Sequence, residues 1–278
     1  INDELRQKIE KDLKAGLTFE KNEVNLEEEL KDVYAPQVAI PKSVELSKNS
    51  FPKRTEPMRM INAISEALDQ SLTIHENLVL MGQDIAEYGG AFKVTEGLMN
   101  KYGKARIRNT PLCESAIIGA ALGMSLEGYK SVVEMQFADF VSVGFNQIVN
   151  NLAKIYYRWG QNADVVIRMP TGAGVGAGPF HSQSNEAWFF HVPGLKIVYP
   201  SNPSDAKGLL MAAINDPNPV LYFEHKALYR STSGMVDAAP YEVEIGKAAV
   251  VQAGEDMSIV TYGAGVHWAL AYANQHPT

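Results

Sequence analysis

Asn109-Thr-Pro-Leu-Cys-Glu114 leads into Ser115-Ala-Ile-Ile-Gly-Ala-Ala-Leu-Gly123, and then into Lys130-Ser-Val-Val-Glu-Met-Gln-Phe-Ala-Asp-Phe140. A strand-like run over 105–109, a helical pattern over 115–127 and a second strand-like run over 131–136 follow one another with short joints. This order places the carboxylate of Glu114 at the mouth of a strand-to-helix turn. It also places the amide of Gln136 and the ring of Phe140 just past the end of the next strand. Ligands of open parallel α/β sheets sit at those carboxyl ends, so the stretch is read as one edge of a binding crevice.

The same alternation extends on both sides. Ile61, Ile64, Leu68 and Leu72 line one helical face, and Leu78-Val-Leu-Met81 follows as a short apolar strand. Further strands are expected at 164–169, 195–199 and 219–224, with helical patterns near 92–102, 140–158, 184–191 and 203–215. Strands alternating with helices imply right-handed crossovers and a parallel sheet covered on both faces. The fold class is therefore α/β, a doubly wound parallel sheet, with unbroken apolar strands such as Val165-Val-Ile167 at its centre.

The ends differ in texture. Residues 1–35 read as a charged helix with Leu5, Ile9 and Leu13 at helical spacing, followed by the acidic turn or helix Asn25-Leu-Glu-Glu-Glu-Leu30. Residues 36–57 hold Pro36, Pro41, Pro52 and Pro57 among polar residues, which prevents sustained helix or sheet pairing, and read as a linker. The main domain is expected over 58–233. Beyond it, 234–278 read as a polar connection, two strands at 247–252 and 257–262, and a partial helix: the opening of a second domain cut short.

With 278 residues, 46% of them hydrophobic, the chain can fill a substantial core. A net charge of -7 and no basic stripe argue against nucleic acid. No apolar run reaches the ~20 residues of a membrane span. The single cysteine, Cys113, excludes an intrachain disulfide and a multi-cysteine zinc site and points to a reducing compartment, the cytoplasm by default. Ile1 in place of an initiating Met suggests a processed or excised chain.

Among residues that could carry chemistry, Glu114 comes first. Its plain reading is a carboxylate offsetting a positive helix end. Its chemical reading is a partly desolvated acid, backed by a closely packed small-residue helix and suited to proton exchange with a ring nitrogen. The second place is Thr171-Gly-Ala-Gly-Val-Gly-Ala-Gly-Pro-Phe-His-Ser-Gln-Ser184. Its glycines superficially meet the G-x-G-x-x-[GA] dinucleotide pattern, but Pro170 precedes them and the next helical pattern starts too far on. A long loop ending in His181 better suits a mobile active-site segment. His75, His191 and His225 show no metal-ligand spacing. Glu134 reads as a core-edge or ion-pairing acid, the Tyr156-Tyr157-Trp159 cluster as packing or interface, and Glu224-His-Lys-Ala-Leu-Tyr-Arg230 as a segment that binds substrate or a neighbouring subunit, the latter favoured.

Met81-Gly-Gln-Asp84, Asn109 to Glu114, Glu134 to Phe140, His181-Ser-Gln-Ser184, Pro193-Gly-Leu-Lys196, Asp205-Ala-Lys-Gly-Leu209 and Glu224 to Arg230 together resemble the β subunits of thiamine-diphosphate-dependent 2-oxo acid dehydrogenases, of the pyruvate or the 2-oxoisovalerate type. The likeness runs in order over 58–278. Residues 1–35 look like the tail of the partner α subunit, as in an excerpt of an α–β fusion.

The resemblance implies that Glu114 hydrogen-bonds the aminopyrimidine of thiamine diphosphate and drives it to its imino form. The 2-oxo acid then loses carbon dioxide and its acyl group passes to a lipoyl-bearing acyltransferase. It further implies that Leu112, Gln136 and Phe140 contact the pyrimidine and that His181 assists the substrate and the transfer. A potassium ion is implied at main-chain oxygens near Val165, Ala213, Asp216 and Asn218. Two departures stand out: relatives usually have Glu where this chain has Gln83, so that a proton relay is either lost or falls to Asp84, and the Gly-Asp-Gly motif that holds magnesium and diphosphate is missing. The chain should thus supply half a cofactor site, have negligible turnover alone, and assemble with an α-type half, as a homo-oligomer or an α2β2-like complex. A nicotinamide-dependent Rossmann oxidoreductase and a non-catalytic dimerising module are the alternatives.

Overall fold

The computed structural model describes residues 1–18, 24–37 and 51–276; most of the proline-containing stretch read as a linker lies outside them. The chain divides into two compact units, Ile1–Asp32 and Val33–Thr278. The first holds α1 (Asn2–Leu17) and α2 (Leu26–Lys31), neither of which buries a residue. Asn25 caps α2 by accepting from the Glu27 N–H at 3.0 Å, which satisfies one of the amides left free at a helix start.

In the second unit the elements run β1 (Met58–Arg59), α3 (Met60–Ile74), β2 (Leu78–Gly82), α4 (Leu98–Tyr102), β3 (Ile107–Asn109), α5 (Glu114–Leu126), β4 (Lys130–Glu134), α6 (Ile155–Trp159), β5 (Val165–Thr171), β6 (Lys196–Val198), α7 (Pro203–Asn215), β7 (Val220–His225), α8 (Leu228–Ser231), β8 (Ser233–Gly234) and α9 (Ala264–Gln275). Six strands form a sheet in the order β3-β2-β4-β5-β7-β6, every neighbour pairing parallel. β1 and β8 pair antiparallel apart from it. The α/β expectation holds.

Alternate strand residues feed two cores. Leu78, Leu80, Val132, Val166 and Tyr222 pack with the buried faces of α3 and α7. Val79, Met81, Val133, Ile167 and Phe223 pack on the other side with Ile117 and Ile118 of α5 and with Val141, Ile148 and Leu152. Period-2 side-chain alternation between two helix layers is what a doubly wound sheet requires. From β2 the chain steps to β3 on one flank and then returns to β4 on the other. The crevice opened by that reversal lies at the carboxyl ends of β2 and β4.

Three expected helices and two expected strands are corrected. The 92–102 pattern yields only α4, because Gly89, Gly90, Lys93 and Gly97 take left-handed φ. The 140–158 pattern is split into a 3-10 turn (Ala138–Gly144), a π segment (Gln147–Asn151), a second 3-10 turn (Leu152–Lys154) and α6. Gly144 packs so closely that a Cβ there would meet Ile118 Cδ1 at 2.4 Å. The 184–191 pattern shrinks to a 3-10 turn at Glu186–Trp188. The segments 247–252 and 257–262 are irregular and exposed. A strand needs a hydrogen-bonded neighbour, and no strand among the described residues pairs with them.

Candidate active site

Glu114 is the first residue of α5, after Cys113 as N-cap, and is buried. Its Oε1 accepts from Gln83 Nε2 at 3.1 Å. Gln83 follows β2 directly, so the strand end and the helix start are joined across the crevice. Gln83 Oε1 is buried and has no partner, which leaves an acceptor beside the carboxylate. A short distance along the same edge, Gln136 donates to Asp84 Oδ2 at 3.3 Å. Asp84 thus faces Gln136, while Gln83 is the residue that holds Glu114.

Past β4, three rings meet. Phe137 stands edge-on to His181 at 4.6 Å between centroids, and Phe140 is edge-on to His181 at 5.5 Å and to Phe137 at 5.7 Å. His181 is brought there by Asp139, a residue whose role the sequence did not reveal. Asp139 Oδ1 accepts the N–H groups of Ser182 and Gln183, both at 3.1 Å. The near end of the glycine loop is tied as well, Gly172 N–H donating to Gln183 O at 2.9 Å. Gly172 has φ +82°, and a Cβ there would sit 2.4 Å from His225 Nε2, so the loop needs glycine at that position. The loop enters a 3-10 turn at Pro179–His181. It offers no helix N-terminus of the kind a dinucleotide pyrophosphate uses.

Beneath these residues lies a buried ion cluster. Arg168 in β5 makes two bonds to Glu224 of β7, 2.6 and 2.8 Å, and one of 2.6 Å to Glu134 at the end of β4. Tyr229 donates to Glu224 at 2.5 Å. Burial pushes the Glu134 carboxyl up from its ordinary range, opposed by Arg168. The Glu134 expectation is met. The subunit-contact reading of Glu224 to Arg230 is overturned for Glu224, Lys226 and Tyr229, which are buried, because β7 lies inside the sheet between β5 and β6.

Leu112 lies on the loop before α5 with its side chain exposed. Tyr157 and Trp159 are exposed on α6, with the Arg158 guanidinium 4.4 Å from the Trp159 ring. The expected potassium ligands lie at the opposite, amino edge of the sheet. Val165 opens β5 and Asp216 caps α7, and Ala163 N–H donates to Pro217 O at 3.0 Å. The side chains of Asp216 and Asn218 are occupied: Asp216 Oδ2 by Lys196 at 2.5 Å, and Asn218 by both polar backbone groups of Ala35, at 2.7 and 3.0 Å. Among the described residues no cluster of three or more His, Cys, Asp or Glu could hold a metal, and no helix is long and apolar enough to cross a membrane.

A family model described as transketolase, pyrimidine binding domain, matches residues 56–232. The chain belongs to that family. Among curated members it is 46% identical over 220 residues to the 2-oxoisovalerate dehydrogenase subunit beta of Bacillus subtilis (strain 168), covering 78% of this chain and 67% of that protein. It is 45% identical over 206 residues to the pyruvate dehydrogenase E1 component subunit beta of Acholeplasma laidlawii, covering 73% and 63%. The chain spans about two thirds of the length of these relatives. Among solved structures, a split gene transketolase, an inactive beta4 tetramer, superposes with a TM-score of 0.62 at 22% identity, over 79% of this chain and 67% of that one; this shows a shared fold. Within the family, Gln83, Glu114, Gln136, Phe140 and His181 lie along the carboxyl edge of this chain's parallel sheet.

Proposed function

We propose that this chain is the β-type part of a thiamine-diphosphate-dependent 2-oxo acid dehydrogenase, acting on pyruvate or 2-oxoisovalerate and passing the acyl group to lipoamide. The observation that carries the reading is the buried Gln83–Glu114 pair at the switch point of the sheet. A carboxylate and an unpartnered amide oxygen side by side fit an aminopyrimidine, which offers a ring nitrogen and an amino donor. When bound, thiamine diphosphate supplies the carbanion chemistry and the electron sink. The chain's own part is to hold a proton at Glu114, to keep that carboxylate oriented through Gln83, and to border the ring with Gln136 and Phe140. Leu112 is assigned to the same ring from its place before α5, and His181 to the substrate and the acyl transfer.

The sequence holds no Gly-Asp-Gly motif of the kind that grips diphosphate and magnesium. Magnesium is therefore assigned to an α-type half, in an α2β2-like or homo-oligomeric assembly that meets a lipoyl-bearing acyltransferase. A cytoplasmic setting is proposed from the lone, exposed Cys113. The test is calorimetry with thiamine diphosphate and magnesium, with and without the α half. Binding is expected only when that half is present. In the reconstituted enzyme Glu114→Gln should lower kcat by about 10²–10⁴, the usual contribution of a positioned acid–base group. Full activity in that variant would sink the role given to Glu114.

A further inference from the structure

Lys226 is used by nothing above. It is 3% exposed, and its Nζ has no hydrogen-bond partner. The other buried cationic side chains among the described residues are neutralised, Arg168 by Glu134 and Glu224 and Lys207 by Glu66. A buried ammonium left unpaired is costly, so its retention calls for a charge that arrives from outside.

Its position says where. Lys226 is the first residue past β7, on the carboxyl edge that carries Glu114. Its N–H donates to Thr171 O at 3.0 Å, at the point where β5 gives way to the glycine loop. The Nζ lies 5.5 Å from the centre of the Phe137 ring, which also stands edge-on to His181. Asp139 is the acid acting on it, yet Asp139 Oδ2 is itself without a hydrogen-bond partner and Oδ1 is taken by the loop amides. Burial lowers the ammonium to about 8, with Asp139 opposing, so the cation still prevails at neutral pH. A single point charge suits a singly charged carboxylate. A diphosphate requires more donors than this.

We propose that Lys226, together with His181, receives the carboxylate of the 2-oxo acid substrate. The identity of the anion rests on the function proposed above; the presence of an anion subsite does not.

The test uses the full chain combined with its α-type partner, and oxamate, an unreactive carboxylate shaped like pyruvate. Oxamate and thiamine diphosphate are titrated separately into wild type, Lys226→Met and Lys226→Arg. In the methionine variant oxamate affinity should fall about tenfold or more, the scale of one lost charge-assisted hydrogen bond, with thiamine diphosphate affinity unchanged. The arginine variant should lose less. Replacing an unpaired buried ammonium with an apolar side chain of similar size should also raise Tm. A merely structural lysine would give the opposite, a lower Tm with oxamate binding intact. Unchanged oxamate affinity in Lys226→Met overturns the proposal, as does a loss confined to thiamine diphosphate, and so does a methionine variant that no longer folds. If wild type binds oxamate through Lys226 but takes no thiamine diphosphate even with its partner, the anion subsite stands and the dehydrogenase reading falls.

Discussion

Two side chains on one sheet edge show how burial and pairing separate roles. Glu114 is buried with a neutral amide donor beside it, whereas Lys226 is buried with no partner. The lysine carries a pH signature. Its folded pKa, about 8, lies below the ordinary value of 10.5, so between these pH values the unfolded chain binds more protons than the folded one. Stability must then rise with pH through that window, as the cost of the buried charge is relieved. From the size of the shift that cost is of order 3 kcal/mol below pH 8. Thermal unfolding of wild type and Lys226→Met should accordingly differ most at pH 7 and converge as pH approaches 10.5. A constant gap would mean that Lys226 is not a buried, uncompensated ammonium. Neither role was fully visible in the sequence. Glu114 could be picked out by its place at a strand-to-helix turn. The Lys226 segment read as a charged contact surface, because a sequence does not show that β7 is flanked on both sides.

Elements with a strong apolar period were legible, and elements set by glycine or by side-chain competition were not. β2, β4, β5, β7, α5 and α7 stand close to where periodicity places them, since each buries one face or two against a fixed layer. The 138–159 stretch has the right apolar period but does not form one helix. Gly144 admits close approach to α5, and amide side chains bond along the backbone direction, Asn151 to Gln147 at 2.6 Å and Asn150 to Asn146 at 2.8 Å. The amino edge of the sheet makes a prediction of its own. Carbonyls at the end of α7 carry the negative end of the helix dipole, and Asp216 and Asn218 fix the following turn through side chains, Asn218 N–H and Nδ2 donating to Asp216 Oδ1 at 3.0 and 2.8 Å. This leaves main-chain oxygens as the donors for the proposed potassium ion, with Val165 alongside. An ion that binds only the folded form stabilises it by mass action. Tm should therefore be higher in potassium chloride than in sodium chloride at equal ionic strength, and equal values would remove the ion from this turn.

At the scale of the whole molecule, the division of the chain falls at Asp32/Val33, a few residues before the prolines that suggested a linker. The physical cause is a short docked segment with almost no sequence signal. Ala35 is 4% exposed; its N–H donates to Asn218 Oδ1 at 2.7 Å, and its carbonyl accepts from Asn218 Nδ2 at 3.0 Å. Tyr34 donates to Leu195 O at 3.2 Å and Gln37 to Asp216 at 3.2 Å. One small apolar residue between polar ones shows no period, so its pairing with a residue 183 positions away could not be read. By contrast α1 and α2 bury nothing. Two truncations separate these contributions. Removing residues 1–32 should leave Tm almost unchanged, because neither α1 nor α2 buries a residue. Removing residues 1–37 leaves Asn218 Oδ1 without its donor and Nδ2 with Asp216 Oδ1 alone, and a buried polar group left unsatisfied costs about 1–3 kcal/mol. The longer truncation should therefore lower the urea midpoint, and Asn218→Ala in the full chain should lose a similar amount. Equal stability of the two truncated chains would show that the Tyr34–Gln37 segment does not hold the sheet domain together.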